Sequence, residues 1–463
     1  MKKLSVTSLA MVIFIGVFGF PNIANNFKAV GTSASLMLMI GALIFFLPLC
    51  LVMAEFGAYA KDRTAGIYSW IEIGLGKKIA YIAIWSYFVA NIFYLPTLAT
   101  RIPTYLSFVF FGDAEVTNFQ TALLGIAALL LALIVGLKFE KQFNKFSTIV
   151  GYLSLFVAAI FLVAGIYVYL TGHSSTAITA ETFAINIKDK PSLAMILSTF
   201  AWIIFAFGGA EICGVYVDKL DNPEKNFPKA ILIASATIGI FYVLGILAIS
   251  TFGTADDFSK VSLVNAVISG YQFMAAKLGL GSWFIRFVAV IYTLITAVAL
   301  VLWSVALAKS VFSEVPEGTF PEWLTKKDEN GVLRNSLIFQ TVLALLFIFL
   351  TTFGGDKGGA LYSKIYDMST MSFVIPYFFL ALSYIIFKKK KHFSPFQAFK
   401  NPIIGMFIGS VLLILCLVSL VFSGYDISKT VAEQRGTIEL YYGGLLLFLI
   451  IGVVIKFFSG KSK

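Results

Sequence analysis

Twelve apolar segments follow one another along this sequence, separated by short charged or Gly/Pro-containing connections. They contain 18 to 33 residues, enough for the roughly 20 that a helix needs to cross a bilayer. A backbone in hydrocarbon must satisfy its own hydrogen bonds, so these segments are expected to be helical. The sequence therefore predicts an all-α polytopic membrane protein with twelve transmembrane helices, called spans 1 to 12 below, at residues 6–27, 33–58, 79–111, 120–137, 147–171, 192–218, 228–251, 284–312, 335–353, 364–387, 402–424 and 438–458. Residues 252–283 are amphipathic and Gly-broken, and are predicted to form an external, non-spanning connection.

The composition excludes the main soluble classes. Apolar residues make up 59% of the chain and charged residues 13%, against roughly 25% charged residues in soluble domains. So little charge does not suit a soluble enzyme, a disordered chain or a nucleic-acid-binding protein; the expected surroundings are membrane lipid. The three cysteines all lie in apolar segments and the two histidines lie far apart in polar connections, so we expect no disulfide framework, no metal and no cofactor.

The basic residues predict how the chain is oriented. With the N-terminus in the cytoplasm, about two thirds of the 35 Lys and Arg residues fall on the cytoplasmic side, as the positive-inside rule requires. Both termini are therefore predicted to be cytoplasmic. Runs such as Lys388–Lys391 are interpreted as topology anchors at the lipid surface. The first apolar segment has no small-residue cleavage site and is expected to be retained as span 1.

Two spans contain residues that break helices at membrane depth. Span 1 carries Gly16, Gly19 and Pro21, and span 6 carries the pair Gly208-Gly209 close to Glu211. Either break alone is consistent with a simple kink or a close-packing site. Their spacing is more informative, because they fall in the first helices of two five-span halves. An odd number of spans inverts the second half, and inverted repeats with matching broken helices mark the substrate sites of secondary transporters.

This reasoning predicts one transmembrane transporter domain over residues 1–463. The first repeat would cover about residues 6–171, the inverted second repeat about 192–387, and two further helices about 402–458. The ends of half-helices expose N–H and C=O groups that suit a carboxylate and an ammonium group respectively. A zwitterionic amino acid carries both groups.

Several motifs resemble the amino acid–polyamine–organocation transporter superfamily. They are Gly16 with Phe20-Pro21, Ala54-Glu55, Gly66-Ile67-Tyr68-Ser69-Trp70, Phe207-Gly208-Gly209-Ala210-Glu211, and the connection Asp221-Asn222-Pro223-Glu224-Lys225-Asn226-Phe227-Pro228-Lys229. Phe20-Pro21 and Leu95-Pro96 are most similar to the branch that contains the glutamate/GABA antiporter and related amino acid permeases. The resemblance implies a five-plus-five, LeuT-like inverted-repeat fold with discontinuous spans 1 and 6, and alternating access with proton coupling or exchange.

The resemblance also implies the site residues. The substrate would meet the backbone around both breaks, with Phe205 as an occluding aromatic residue, Trp303 lining the pocket from span 8 and Asn91 contributing from span 3. Glu211 matches a proton-responsive glutamate. The expected substrate-binding residues are Gly16, Phe18, Gly19, Phe20, Asn91, Phe205, Phe207, Gly208, Gly209 and Trp303. One departure leaves the coupling ion open: residues 148–151 of span 5 lack the lysine that replaces a sodium ion in several relatives.

Four charged residues within spans need a reason, because an ionised group at mid-bilayer costs about 2.5–3.5 kcal/mol or more. Glu211 either carries a proton or stabilises the broken turn. Glu55 is expected to form an ion pair at the inner end of span 2. Arg101 and Asp367 either pair with each other or recognise a charged substrate group.

The predicted function is secondary active transport of amino acids, or of their decarboxylation products, across the cytoplasmic membrane. Proton-coupled uptake and antiport both remain open. A polyamine or cationic amine antiporter is the alternative, suggested by Asp367. A channel or a membrane-embedded enzyme is disfavoured, because no filter repeat, ring of charge or catalytic cluster is visible. The substrate side chain and the oligomeric state stay open.

Overall fold

A computed structural model describes residues 4–63, 66–113, 116–185, 187, 190–261, 265–313, 315–353 and 371–459. Every secondary-structure element longer than a single bridge within these ranges is helical. A single isolated parallel bridge joins Leu4, just before span 1, to Leu220, just after span 6. The predicted all-α class is confirmed.

Eleven helices are long and apolar enough to cross a membrane, and a bent pair of helices makes a twelfth span if it is taken as one. These agree with the twelve predicted segments. In chain order, spans 1 to 12 are Val6–Val17 with Phe20–Val30, Ser33–Tyr59, Lys77–Phe110, Asn118–Lys138, Lys145–Leu170, Pro191–Lys219, Pro223–Phe252, Ser282–Phe312, Arg334–Phe353, Met371–Lys389, Pro402–Gly424 and Arg435–Phe457. Residues 364–370, which were predicted to begin span 10, lie outside the described residues.

The connection between spans 7 and 8 contains two short helices, Ala255–Ser259 and Ala266–Leu278. Neither is among the helices long enough to span a membrane, in agreement with the prediction. The first begins with a capping box, in which the Thr254 hydroxyl accepts the Asp257 N–H and the Asp257 carboxylate accepts the Thr254 N–H. The second packs against span 1, where Gly270 lies beneath the ring of Phe20.

The spans differ in how far the protein encloses them. In the most apolar part of span 3, 78% is buried inside the protein, whereas in the most apolar part of span 12 the buried share is 11%. Spans 4, 5, 9, 11 and 12 present large apolar side chains on the surface, among them Leu131, Ile149, Leu346, Phe407 and Ile450. In water such a surface would favour aggregation, but it suits contact with lipid.

The buried ion pair of Glu55 corrects the prediction for Lys388. Lys388 was expected at the lipid surface with the rest of its run, but its side chain is 6% exposed and its ammonium group pairs with the fully buried Glu55 carboxylate. Tyr384 Oη also donates to Glu55, at 2.6 Å. Lys388 follows Tyr384 by one helical turn, so it lies on the same inward-facing stripe of span 10. The nearby Arg63 pairs with Glu72.

Candidate functional site

The break in span 1 separates two helices that meet at 44°. The first helix ends at Val17 and the second begins at Phe20, with Phe18 and Gly19 in extended conformation between them. Pro21 lies in the first turn of the second helix, where its missing N–H costs no helical hydrogen bond. No side chain caps that helix. Because the Asn22 N–H bonds to the Gly19 carbonyl, the Phe20 N–H is the group at this helix end that a ligand could meet.

The break in span 6 lies directly against the break in span 1. The α-helix ends at Ala206, and a 3₁₀ helix runs from Ala210 to Lys219. Gly209 has a φ of +111°, a conformation that side chains disfavour. A Cβ atom at Gly209 would lie 3.0 Å from the carbonyl oxygen of Gly16 and 3.1 Å from Trp303 Cζ2. The close approach of the two breaks therefore depends on glycine at this position.

One tyrosine hydroxyl, that of Tyr242 in span 7, connects the two breaks. Its oxygen lies 2.8 Å from the Val17 carbonyl and 3.1 Å from the Ala206 carbonyl, the last residues of the two interrupted helices. It also accepts the N–H of Gly19 at 3.0 Å and the side-chain N–H of Asn22 at 2.9 Å. Tyr242 was not among the predicted site residues.

Glu211 lies just after the break in span 6 and is almost fully buried. Its Oε2 atom accepts from Tyr377 Oη at 2.6 Å and from the N–H of Gly209 at 3.0 Å. The hydroxyl of Tyr87 from span 3 lies beside the carboxylate. Within the described residues, neither that hydroxyl nor Glu211 Oε1 makes a hydrogen bond of good geometry. Tyr377 and Tyr87 were also missed, since tyrosines in apolar spans give no local signal.

The predicted aromatic residues divide into two groups. Trp303 contacts Gly209 and meets Tyr94 edge to face at 5.5 Å. Phe205 lies next to Phe373 of span 10, with ring centroids 5.9 Å apart. These two rings border the span-6 break.

Phe18, Phe20 and Phe207 make other contacts. Phe18 stacks on Phe14 at 4.8 Å, and Phe20 packs edge to face on Phe161 of span 5 at 4.8 Å. Phe207 stacks on Phe46 of span 2 at 4.7 Å.

The remaining predicted residues are Asn91 and Arg101 of span 3, Gly208 of span 6, and Asp367. Asn91 is buried, and its amide donates to the Tyr87 carbonyl of its own helix at 2.8 Å. Gly208 has no room for a side chain, since a Cβ atom there would lie 2.2 Å from the Phe373 ring. Arg101 is half-buried in span 3. Asp367 lies outside the described residues, and so does its predicted pairing with Arg101.

Comparison with known proteins identifies the family of the chain. Residues 4–456 match a family described as amino acid permease. The chain is 30% identical to the inner membrane transporter YjeM of Salmonella typhimurium over 430 residues, which is 86% of this chain and 85% of that protein.

Two further relatives come from Lactococcus lactis. The aspartate/glutamate permease AcaP of subspecies cremoris is 24% identical, over 91% of this chain and 87% of its own length. A glutamate/gamma-aminobutyrate antiporter of subspecies lactis is 22% identical, over 84% and 77% respectively. The predicted resemblance and the predicted class of function are confirmed: the chain belongs to the amino acid permease family and transports amino acids across a membrane.

Proposed function

We propose that the substrate binds where the two breaks meet, and that alternating access carries it across. The observation that carries this proposal is the close approach of Gly209 to the Gly16 carbonyl, together with the Tyr242 hydroxyl that contacts both interrupted helices. The uncapped N-terminus of the helix Phe20–Val30 suits an α-carboxylate, and the carbonyl ends of the interrupted helices suit an α-ammonium group. The relatives named above are transporters and permeases, which supports a carrier without enzymatic activity.

The two breaks also support the predicted repeats. Each break lies in the first span of a five-span half, about residues 6–171 and 192–387, with spans 11 and 12 following. In inverted-repeat carriers the site lies at the interface of the halves, and one repeat rocks against the other around it. The cytoplasmic membrane is the proposed location, because relatives include a protein named as an inner membrane transporter.

We propose proton coupling through Glu211. A carboxylate this buried, with one oxygen lacking a hydrogen bond beside the Tyr87 hydroxyl, can gain a proton and then donate from Oε1 to that hydroxyl. Its other oxygen holds the Gly209 N–H, so a change of charge acts directly on the broken turn. Protonation and the geometry of the break are thereby connected.

The test is counterflow of labelled amino acids in proteoliposomes across a range of external pH. Glu211→Gln keeps the shape of the side chain but cannot titrate, so we expect exchange to continue with a flat pH profile. Glu224→Gln is the matched control, because that side chain pairs with Lys61 outside the site, and its profile should follow the wild type. An unchanged pH profile in Glu211→Gln would exclude the proposed role.

We also propose that the substrate is an acidic amino acid, with Arg101 facing its side-chain carboxylate. Arg101 lies on one stripe of span 3 with Tyr94 and Tyr105, close enough to interact electrostatically with both. Their rings meet Trp303 at 5.5 Å and Tyr292 at 6.1 Å, which directs this stripe toward span 8 rather than toward lipid. Two relatives are named for aspartate or glutamate.

A panel of competitors in the same counterflow assay tests the substrate class. Aspartate or glutamate should be the best inhibitors of wild-type exchange. Arg101→Gln should lose at least tenfold in affinity for these acids, since a charge-assisted bond contributes about 1.5–3 kcal/mol. Its affinity for the corresponding amides, asparagine and glutamine, should be unchanged. Inhibition by diamines instead would favour the cationic amine antiporter. Equal loss for acids and amides would indicate a structural role for Arg101.

A further inference from the structure

An apolar groove of about 460 Å³ opens on the lipid-facing side of the helix bundle, where spans 3, 4, 5 and 8 meet. Its volume falls within the range of about 300–1,000 Å³ typical of small-molecule sites. It lies apart from the breaks, and every residue lining it is apolar. We call it the span-4 groove; Ala128, Ala132 and Val135 form one wall, and Val298 and Val301 of span 8 form its floor.

Small side chains of span 4 provide the space for the groove. Ala128 and Ala132 follow each other by one helical turn and leave space that larger side chains would fill. Leu131, Phe139 and Phe146 line the groove and are themselves largely exposed, so they form its open rim. From Ala128 to Phe139 the groove extends about 16 Å along the helix axis. This length suits an extended hydrocarbon chain.

Positive charge lies at one end of the groove. Lys138 and Lys145 are exposed, and they directly precede Phe139 and Phe146 in the sequence. Both lie where span 4 ends and span 5 begins, at the predicted cytoplasmic surface. Basic side chains between transmembrane helices at this surface bind anionic lipid head groups.

An apolar groove in a membrane protein does not by itself select a ligand, because lipid tails are as apolar as the groove. Selectivity must come from the fit of the chain and from the charge at the end of the groove. We propose that the span-4 groove binds one acyl chain of an anionic phospholipid, whose phosphate lies between Lys138 and Lys145. The lipid would pack behind the segment of span 8 that leads to Trp303.

Native mass spectrometry of the purified full-length chain tests this, with phosphatidylglycerol and phosphatidylcholine of identical acyl chains as probes. Ala128→Phe fills the groove, and Ala127→Phe makes the same substitution at the neighbouring exposed position that does not line it. We expect Ala128→Phe to lose bound phosphatidylglycerol and Ala127→Phe to retain it. Ala132→Leu is a second, smaller filling variant if Ala128→Phe is not produced.

The head-group contacts are tested separately. The double variant Lys138→Gln/Lys145→Gln should lose the preference for phosphatidylglycerol, by about fivefold for each lysine. Lys389→Gln/Lys390→Gln, which removes two exposed lysines distant in sequence from the groove, should keep it. The proposal is overturned if Ala128→Phe and Ala127→Phe retain equal lipid, if the wild type does not discriminate between the two lipids, or if free oleic acid binds and phosphatidylglycerol does not.

Discussion

Tyr242 shows how much of the site depends on one hydroxyl group. Its oxygen is shared by the carbonyls that end both interrupted helices and by two N–H groups of span 1. We expect Tyr242→Phe to fold but to lower the rate of amino acid counterflow at least tenfold, because each buried partner left unsatisfied costs about 1–3 kcal/mol. The measurement is the initial rate in proteoliposomes at matched protein content.

Tyr81→Phe is the control for Tyr242→Phe. Tyr81 is also a buried tyrosine, but its hydroxyl donates to the Gly452 carbonyl of span 12 at 2.6 Å and contacts neither break. A loss of rate as large in Tyr81→Phe as in Tyr242→Phe would show that any buried hydroxyl is needed, and would contradict the special role of Tyr242.

Without the family resemblance, the site could be predicted only where the sequence departs from an ordinary apolar helix. Gly208-Gly209, Pro21 and Glu211 are such departures, and the structure brings both broken segments together. Tyr242 and Tyr377 are not such departures, because the chain has 20 tyrosines and most spans contain at least one. What distinguishes these two is a hydrogen bond to a residue more than 150 positions away, which no local pattern contains.

The ion pair between Glu55 and Lys388 lies where span 2, span 10 and the connection after span 10 contact one another. It joins span 2 to span 10, and the Ser394 hydroxyl and Ala398 N–H of the following connection also bond to Glu55. Removing one partner of a buried pair leaves the other charge uncompensated, at a cost of about 3–5 kcal/mol. We therefore expect Glu55→Gln to lower the melting temperature clearly, as measured by fluorescence-detected thermal unfolding in detergent.

Two further variants test whether the unpaired charge causes the lower melting temperature. Lys61→Gln breaks a more exposed pair with Glu224 and should leave the melting temperature nearly unchanged. Glu55→Gln/Lys388→Met removes both charges and should recover part of the lost stability. If the double variant melts below Glu55→Gln, the charge of Lys388 is not the source of the destabilisation.

The spacing of residues in span 10 contained a signal for this pair that the positive-inside rule does not use. The positive-inside rule treats every lysine of a run alike, because it concerns the side of the membrane and not the face of the helix. Tyr377, Tyr384 and Lys388 are separated by seven and four residues, which puts them on one stripe of span 10. Only packing against span 2 shows that this stripe is buried.

At the scale of the whole molecule, hydropathy predicted where the spans lie in the sequence but not which spans pack at the centre of the bundle. Predicted and observed ends agree within a few residues where both are described, because burying backbone and charge in lipid limits where a span ends. Spans 4 and 8 have similar mean hydropathy, 2.3 and 2.4, yet their buried shares are 28% and 67%. Lipid and protein interior are equally apolar, so composition does not tell which span is central.

The proposed orientation, with both termini in the cytoplasm, follows from the whole charge distribution and can be tested on the chain as it is. All three native cysteines are buried, so a membrane-impermeant maleimide should label the wild type weakly. His173→Cys lies in the exposed connection between spans 5 and 6, and Lys400→Cys lies in the exposed connection between spans 10 and 11. In right-side-out vesicles the reagent should label His173→Cys, and should label Lys400→Cys only after the membrane is permeabilised. The reverse pattern would invert the orientation and move the lysine-rich end of the span-4 groove to the external surface.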